Sequence, residues 1–198
     1  YSQYQERYGL YLKFSDDHTS LDKAAILADK KSSRLENMKL DTVQPGYGQY
    51  ENDALHNMTE IGNGSTGKTA NGTSRYANAG GSFTYTMIVN PEGTDLLATF
   101  NAADDGKTLR ILAGDHVVYD AVLDSGKPIG YYDVVIPVST EIIKDQMKMV
   151  EADGEERPVV TFTFEGKNNE ASAALCNFLY TVNTLSKDTS ITSMEIDT

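Results

Sequence analysis

Gly62-Asn-Gly-Ser-Thr-Gly-Lys-Thr69 carries the letters G-x-x-x-x-G-K-[ST], the pattern with which nucleotide-hydrolysing enzymes hold phosphate. In that chemistry a buried strand delivers the loop, and a following helix aims its N-terminal N–H groups at the phosphates. Here the preceding Asp53-Ala-Leu-His-Asn-Met-Thr-Glu60 is too polar for a central strand, and Ala70-Asn-Gly-Thr-Ser-Arg-Tyr-Ala-Asn-Ala-Gly-Gly81 places three glycines where the helix should run. No aspartate closes an apolar strand to hold magnesium. The match at 62–69 is therefore read as accidental, and the segment as a flexible Gly/Ser/Asn loop.

The remaining reactive residue types are sparse. Three histidines, at positions 18, 56 and 116, form no HExxH or His-x-His spacing for a catalytic metal. Cys176, the single cysteine, excludes an internal disulfide and a Cys-rich zinc site, and its apolar setting reads as a small buried hydrophobe. Glu51, Asp53 and His56 cluster in one loop. They suit either a structural calcium site or a hydrogen-bonded anchor, and the anchor is preferred for Glu51 and His56 because calcium usually takes more oxygen ligands than two carboxylates supply. No metal or other cofactor is assigned. Asp104-Asp105-Gly106 reads first as a hairpin turn. Arg75, Tyr76 and Tyr50 offer a planar donor and aromatic faces to a sugar; equally, Arg75 pairs with Glu51 and fixes the loop. No nucleophile, base and oxyanion donor assemble anywhere, so a binding or accessory module is expected, not an enzyme.

The 198 residues suffice for one well-cored domain plus an appendage. Seventeen Lys+Arg against 29 Asp+Glu give a formal charge of −12, which repels phosphate backbones and anionic lipid and speaks against nucleic-acid partners. No apolar run approaches ~18 residues, so no membrane insertion is expected, and with no initiating Met or basic leader the chain reads as a piece of something larger. Tyr8–Phe14 alternates as a strand, Ser20 caps a helix running to about Met38, and from residue 41 short alternating runs separated by turns signal an antiparallel sandwich. Strands are expected at 82–89, 96–100, 109–113, 116–123, 131–136, 159–165 and 174–182. Asp104-Asp105-Gly106 and Ala113-Gly114-Asp115 are expected as hairpin turns, and Val138–Lys144 as a helical turn capped by Ser139 or Thr140. The organisation is thus 1–40 as a terminal strand plus helical linker, 41–183 as the sandwich, and 184–198 as a polar tail.

Several ungapped blocks carry a family resemblance: Val43-Gln-Pro-Gly, Gln49-Tyr-Glu, His56, Arg75-Tyr-Ala-Asn-Ala, Gly81-Ser-Phe-Thr-Tyr85 and Asp105-Gly-Lys-Thr-Leu-Arg-Ile-Leu-Ala-Gly114. In this order they resemble the C-terminal β-sandwich of bacterial family 127 glycoside hydrolases, the β-L-arabinofuranosidase-like proteins. Tyr4–Tyr11 is similar to the end of the preceding domain in that family. The resemblance spans residues 4 to 182. It implies an all-β, jelly-roll or galactose-binding-like accessory domain that packs against the catalytic domain of the same parent chain, a secreted or surface-attached bacterial enzyme acting on arabinose-containing glycans. The alternative it leaves open is a carbohydrate-binding module with its own weak site for plant-type glycan. The chain departs from the family in having no tryptophan; Tyr76 and Ser82 stand near places where the family often has an indole. Cys176 matches none of the motifs around the family's catalytic cysteine.

Overall fold

The computed structural model describes residues 31–62 and 64–184. The chain divides into two compact units, Tyr1–Asn37 and Met38–Thr198. Residues 31–38 are helical. The expected strand Tyr8–Phe14, the start of the expected helix and residues 185–198 of the polar tail lie outside the described residues.

The second unit is a sandwich of two antiparallel six-stranded sheets. Sheet A runs β3 (Ser65–Thr69), β4 (Gly72–Tyr76), β12 (Leu175–Asn183), β6 (Thr94–Asn101) and β9 (Tyr131–Val138), with β1 (Lys39–Val43) also on β12. Sheet B runs β2 (Thr59–Ile61), β5 (Ser82–Ile88), β11 (Glu155–Glu165), β7 (Thr108–Ala113) and β8 (His116–Val122), with β10 (Lys148–Ala152) also on β11. A four-residue helix α1 (Gly48–Glu51), a 3-10 turn at Ala102–Asp104 and α2 (Thr140–Gln146) complete the described elements. Ser139 caps α2, its hydroxyl accepting from the Glu141 N–H, which relieves one orphan donor of the first turn.

Period-two alternation builds the core. On β5, Phe83, Tyr85 and Met87 are buried while Ser82, Thr84, Thr86 and Ile88 lie on the other face. Phe164 on β11 is in register with Phe83, and their rings stack at 5.1 Å. From sheet A, Leu96, Ala98 and Phe100 of β6 and Leu175 and Leu179 of β12 complete the apolar interior. Tyr132 turns inward against Phe100, and Tyr131 on the opposite face accepts a hydrogen bond from the Ala70 N–H.

Three expectations need correction. Most of the segment expected as a loop is a strand: Ser65–Thr69 is the edge strand β3, with Gly67, Lys68 and Thr69 paired to Ser74, Thr73 and Gly72. Backbone groups spent on a ladder cannot cradle phosphate. Asp104-Asp105-Gly106 is no hairpin, because it carries the chain from β6 in sheet A to β7 in sheet B. The carboxylate of Asp104 accepts from Lys107 Nζ and the Ala174 N–H, and that of Asp105 from Ser125 and the Tyr132 hydroxyl. Finally, Lys39 begins a strand that runs antiparallel to the end of β12, with Lys39 opposite Val182, so the sandwich starts earlier and β1 replaces part of the expected linker.

Candidate functional site

Two regions gather charged and polar side chains. The first lies at the β1/β4/β2 edge of the sandwich. Gly46 lets the 44–47 turn press onto β4; its φ is +81° and a Cβ there would sit 2.3 Å from the Ser74 carbonyl oxygen. That approach brings α1 inward and buries Glu51 completely. Arg75 Nε and Nη2 donate to the two Glu51 oxygens at 2.7 and 2.9 Å, and Nη1 donates to Glu60 on β2 at 2.5 Å. The Tyr85 hydroxyl and the Gly46 N–H also donate to Glu51. Burial works against the Arg75 charge, but Glu51 more than offsets it and holds the guanidinium above its ordinary value. Burial, followed by the Glu51 charge, pushes the Tyr85 phenol far above its ordinary range.

His56 forms a second knot beside it. Its Nδ1 lies 2.8 Å from both the Tyr50 carbonyl and an Asp53 oxygen, and its Nε2 lies 3.2 Å from Asp41. Burial opposes the imidazolium, yet Asp41 and then Asp53 reverse the balance and raise the His56 pKa. Asp41 also accepts from the Ile88 N–H, tying β1 of sheet A to β5 of sheet B. Glu51 and His56 thus sit at the centre of hydrogen-bonded knots that join the two sheets. The oxygens of Glu51 and Asp53 face donors, an arrangement unsuited to calcium. Among the described residues no three His, Cys, Asp or Glu side chains converge to hold a metal.

The residues expected to meet a sugar are not brought together. The Arg75 side chain is 9 % exposed and engaged along its whole fork, so a ligand has no edge to reach. Tyr76 is half-buried on β4, whereas Tyr50 is exposed with its ring 5.2 Å from that of Tyr47. None of the three lines either of the clefts described next.

Both clefts open on the outer face of sheet B. Registered pairs lay out its rows: Thr59, Thr84 and Thr163 form one, and Thr86 with Thr161 another. The hydroxyls of Thr59 and Thr84 are 2.7 Å apart and those of Thr86 and Thr161 2.8 Å apart. A cleft of about 400 Å³ has Thr86, Thr161 and Thr163 among its lining, with Asn57, Gln146 and Lys148 around them. A second cleft, of about 560 Å³, lies toward the other end of the same strands, where Ser82, Glu165 and Arg110 share a row. Lys167, Asn168 and Asn169 also line it. Here Gly166 passes directly over Asn78, whose carbonyl oxygen would lie 2.2 Å from a Cβ. The face presents hydroxyls, amides and charged groups on a nearly regular strand lattice, and it can exchange many directional hydrogen bonds with a polar ligand.

Sequence reasoning missed this face. Its signal was present, because Arg110 interrupts the apolar Leu109, Ile111 and Ala113 in β7, and period two sends such a residue outward. Thr161, Thr163 and Glu165 alternate in the same way with Val160, Phe162 and Phe164.

No protein-family model matches the sequence, and no curated protein does. Solved structures do show partial likeness. An exo-β-1,3-galactanase from Phanerochaete chrysosporium with bound β-1,3-galactotriose aligns at 14 % identity and a TM-score of 0.43, over 71 % of this chain and 29 % of the galactanase. A family 29 carbohydrate-binding module aligns at 10 % identity and a TM-score of 0.43, over 78 % of this chain and 93 % of the module. A family 35 carbohydrate-binding module from Clostridium thermocellum aligns at 12 % identity and a TM-score of 0.37, over 71 % and 97 % of the two chains. This chain therefore spans less than a third of the galactanase.

Proposed function

We propose that the sandwich is a non-catalytic carbohydrate-binding module whose glycan site is the outer face of sheet B. The observation that supports this most is the placement of both clefts on one face, where hydroxyls and amides stand among apolar and charged side chains. Saccharides are dense in groups that donate and accept at once, and the threonine rows with Asn57, Asn168 and Asn169 at the cleft rims answer both roles. The parent protein that fits this reading is an extracellular bacterial glycoside hydrolase acting on arabinose-containing glycan, as the sequence blocks suggest. Calorimetry of the full chain against neutral oligosaccharides, arabinose-containing ones included, tests it. Saturable binding weakened about fivefold by Thr161→Val, the equivalent of one lost hydrogen bond, supports the site; silence across the panel refutes it.

A second reading, packing against a catalytic domain of the same parent, is favoured by the opposite face. Phe178 and Tyr180 of β12 stand outward with rings 5.8 Å apart, Lys39 covers Tyr180, and Val135 is 54 % exposed. Phe178→Lys is expected to weaken association with such a domain while leaving sugar binding intact, and unchanged association would remove this reading.

A further inference from the structure

Arg110 differs from Arg75 in a way that points to a ligand. Its Nε is buried and has no hydrogen-bond partner, so the fork is not closed as that of Arg75 is. Two carboxylates stand near without closing: Asp120 is 3.7 Å from Nε, and Glu165 is 3.5 Å from Nη1. Lys167 is 3.9 Å from the other Asp120 oxygen. All four side chains remain about a third to a half exposed, and Arg110, Glu165 and Lys167 line the 560 Å³ cleft. The group is two cations alternating with two anions, spread just beyond hydrogen-bond range, with the amides of Asn168 and Asn169 beside it.

We infer that this charged row, Glu165–Arg110–Asp120 with Lys167, is the specificity end of the glycan site and takes a neutral sugar through a pair of adjacent hydroxyls. The inference deepens the carbohydrate-binding reading and rests on it. Each hydroxyl of such a pair donates one proton and accepts at its oxygen. The Glu165 carboxylate accepts a hydrogen bond from one hydroxyl, and the exposed edge of the Arg110 fork donates to the oxygen of its neighbour. Charge-assisted bonds of this kind are about twice as strong as neutral ones. A uronate is disfavoured where its carboxylate replaces the hydroxyl that donates to Glu165, because a carboxylate has no proton to donate and would face another anion. The row carries no net charge, so binding depends little on salt.

The experiment is a titration of the ¹⁵N-labelled full chain with neutral oligosaccharides and with matched uronic-acid oligosaccharides, followed by NMR and calorimetry. Arg110→Gln and Glu165→Gln are tested separately, with thermal unfolding as the check on folding, and Asn168→Ala serves as a milder change at the same rim. The expected result is selective binding of the neutral sugars, shifts at the Arg110 side chain and at the Lys167 and Asn168 amides, and about a tenfold loss of affinity in each charge variant. Binding that survives both charge variants within about twofold, or shifts confined to the Thr161 cleft, overturns the inference and leaves the carbohydrate-binding reading standing. Preference for the uronates also overturns it. Absence of any saccharide binding by the unmodified chain overturns both.

Discussion

Arg75 and Arg110 each sit in a strand between acidic neighbours, yet one is closed and the other open. Around Arg75 the distances are 2.5 to 2.9 Å, the main carboxylate is fully buried, and the side chain is 9 % exposed. Around Arg110 they are 3.5 and 3.7 Å with the side chain 39 % exposed. A closed clasp is spent on holding sheets together. An open row has donors and acceptors left for a molecule from outside. Residue type is therefore a poor guide to role until partner distance and exposure are known.

The comparison is broken most forcefully at the clasp. Arg75→Gln leaves Glu51 buried without its cation, and the sandwich should lose about 3–5 kcal/mol, read as a lowered urea midpoint. A loss below ~1 kcal/mol would mean that the clasp is not structural. Tyr85→Phe removes one hydroxyl donor from the same carboxylate while keeping the ring, so a smaller loss of about 1–3 kcal/mol is expected. At the open row, Arg110→Ala should alter stability by only ~0.5 kcal/mol, the range of ordinary surface changes; a loss as large as that of Arg75→Gln would erase the distinction.

A pH scan sharpens the picture at the knot next to the clasp. The folded-state pKa of His56 is raised, so the folded protein holds a proton that the unfolded chain gives up near 6.5. Its stabilisation is complete below that value and disappears as pH rises through the folded pKa. The melting temperature should fall across this window, and His56→Gln should flatten that part of the curve. At the alkaline end burial lifts the Cys176 thiol to about 11. Stability should decline again above about pH 9, where the unfolded thiol begins to ionise; Cys176→Ala should remove the onset of that decline, while the part beginning near pH 10, where unfolded tyrosine ionises, persists because Tyr85 and Tyr132 are also raised.

The strands that fill the interior were legible because their apolar residues alternate, as in Phe83, Tyr85 and Met87 or Phe162 and Phe164. The hairpin at one side of sheet A was not. Ser65-Thr-Gly-Lys-Thr69 and Gly72-Thr-Ser-Arg-Tyr76 offer little apolar periodicity, and their pairing follows from the ladder they complete and from Thr69 Oγ1 donating to Asn177 Oδ1, 108 residues away. Asp104-Asp105-Gly106 misled because a local turn signal does not say whether the next strand stays in the same sheet. The pairing of Arg75 with Glu51 was one of two readings that residue types allowed. Choosing between them depends on Gly46 approaching Ser74, a contact between segments that no local pattern encodes. Arg110 was within reach by alternation alone, but its acidic neighbours come from β8 and β11, so the row exists only once sheet B is assembled.

The ladder of β1 against β12 sets how the sandwich responds to mechanical load. Lys39 and Val182 are opposite one another, so the first strand enters and the last one leaves at the same end of sheet A. Tension applied through these two points pulls across the ladder, and because antiparallel hydrogen bonds lie perpendicular to the strands, they are loaded one pair at a time. Such a sheet unzips instead of shearing. Under such a load the sandwich would peel open from Lys39 inward, and the first inter-sheet tie to give way would be Asp41 with its bonds to Ile88 and His56, before Val43 leaves the core.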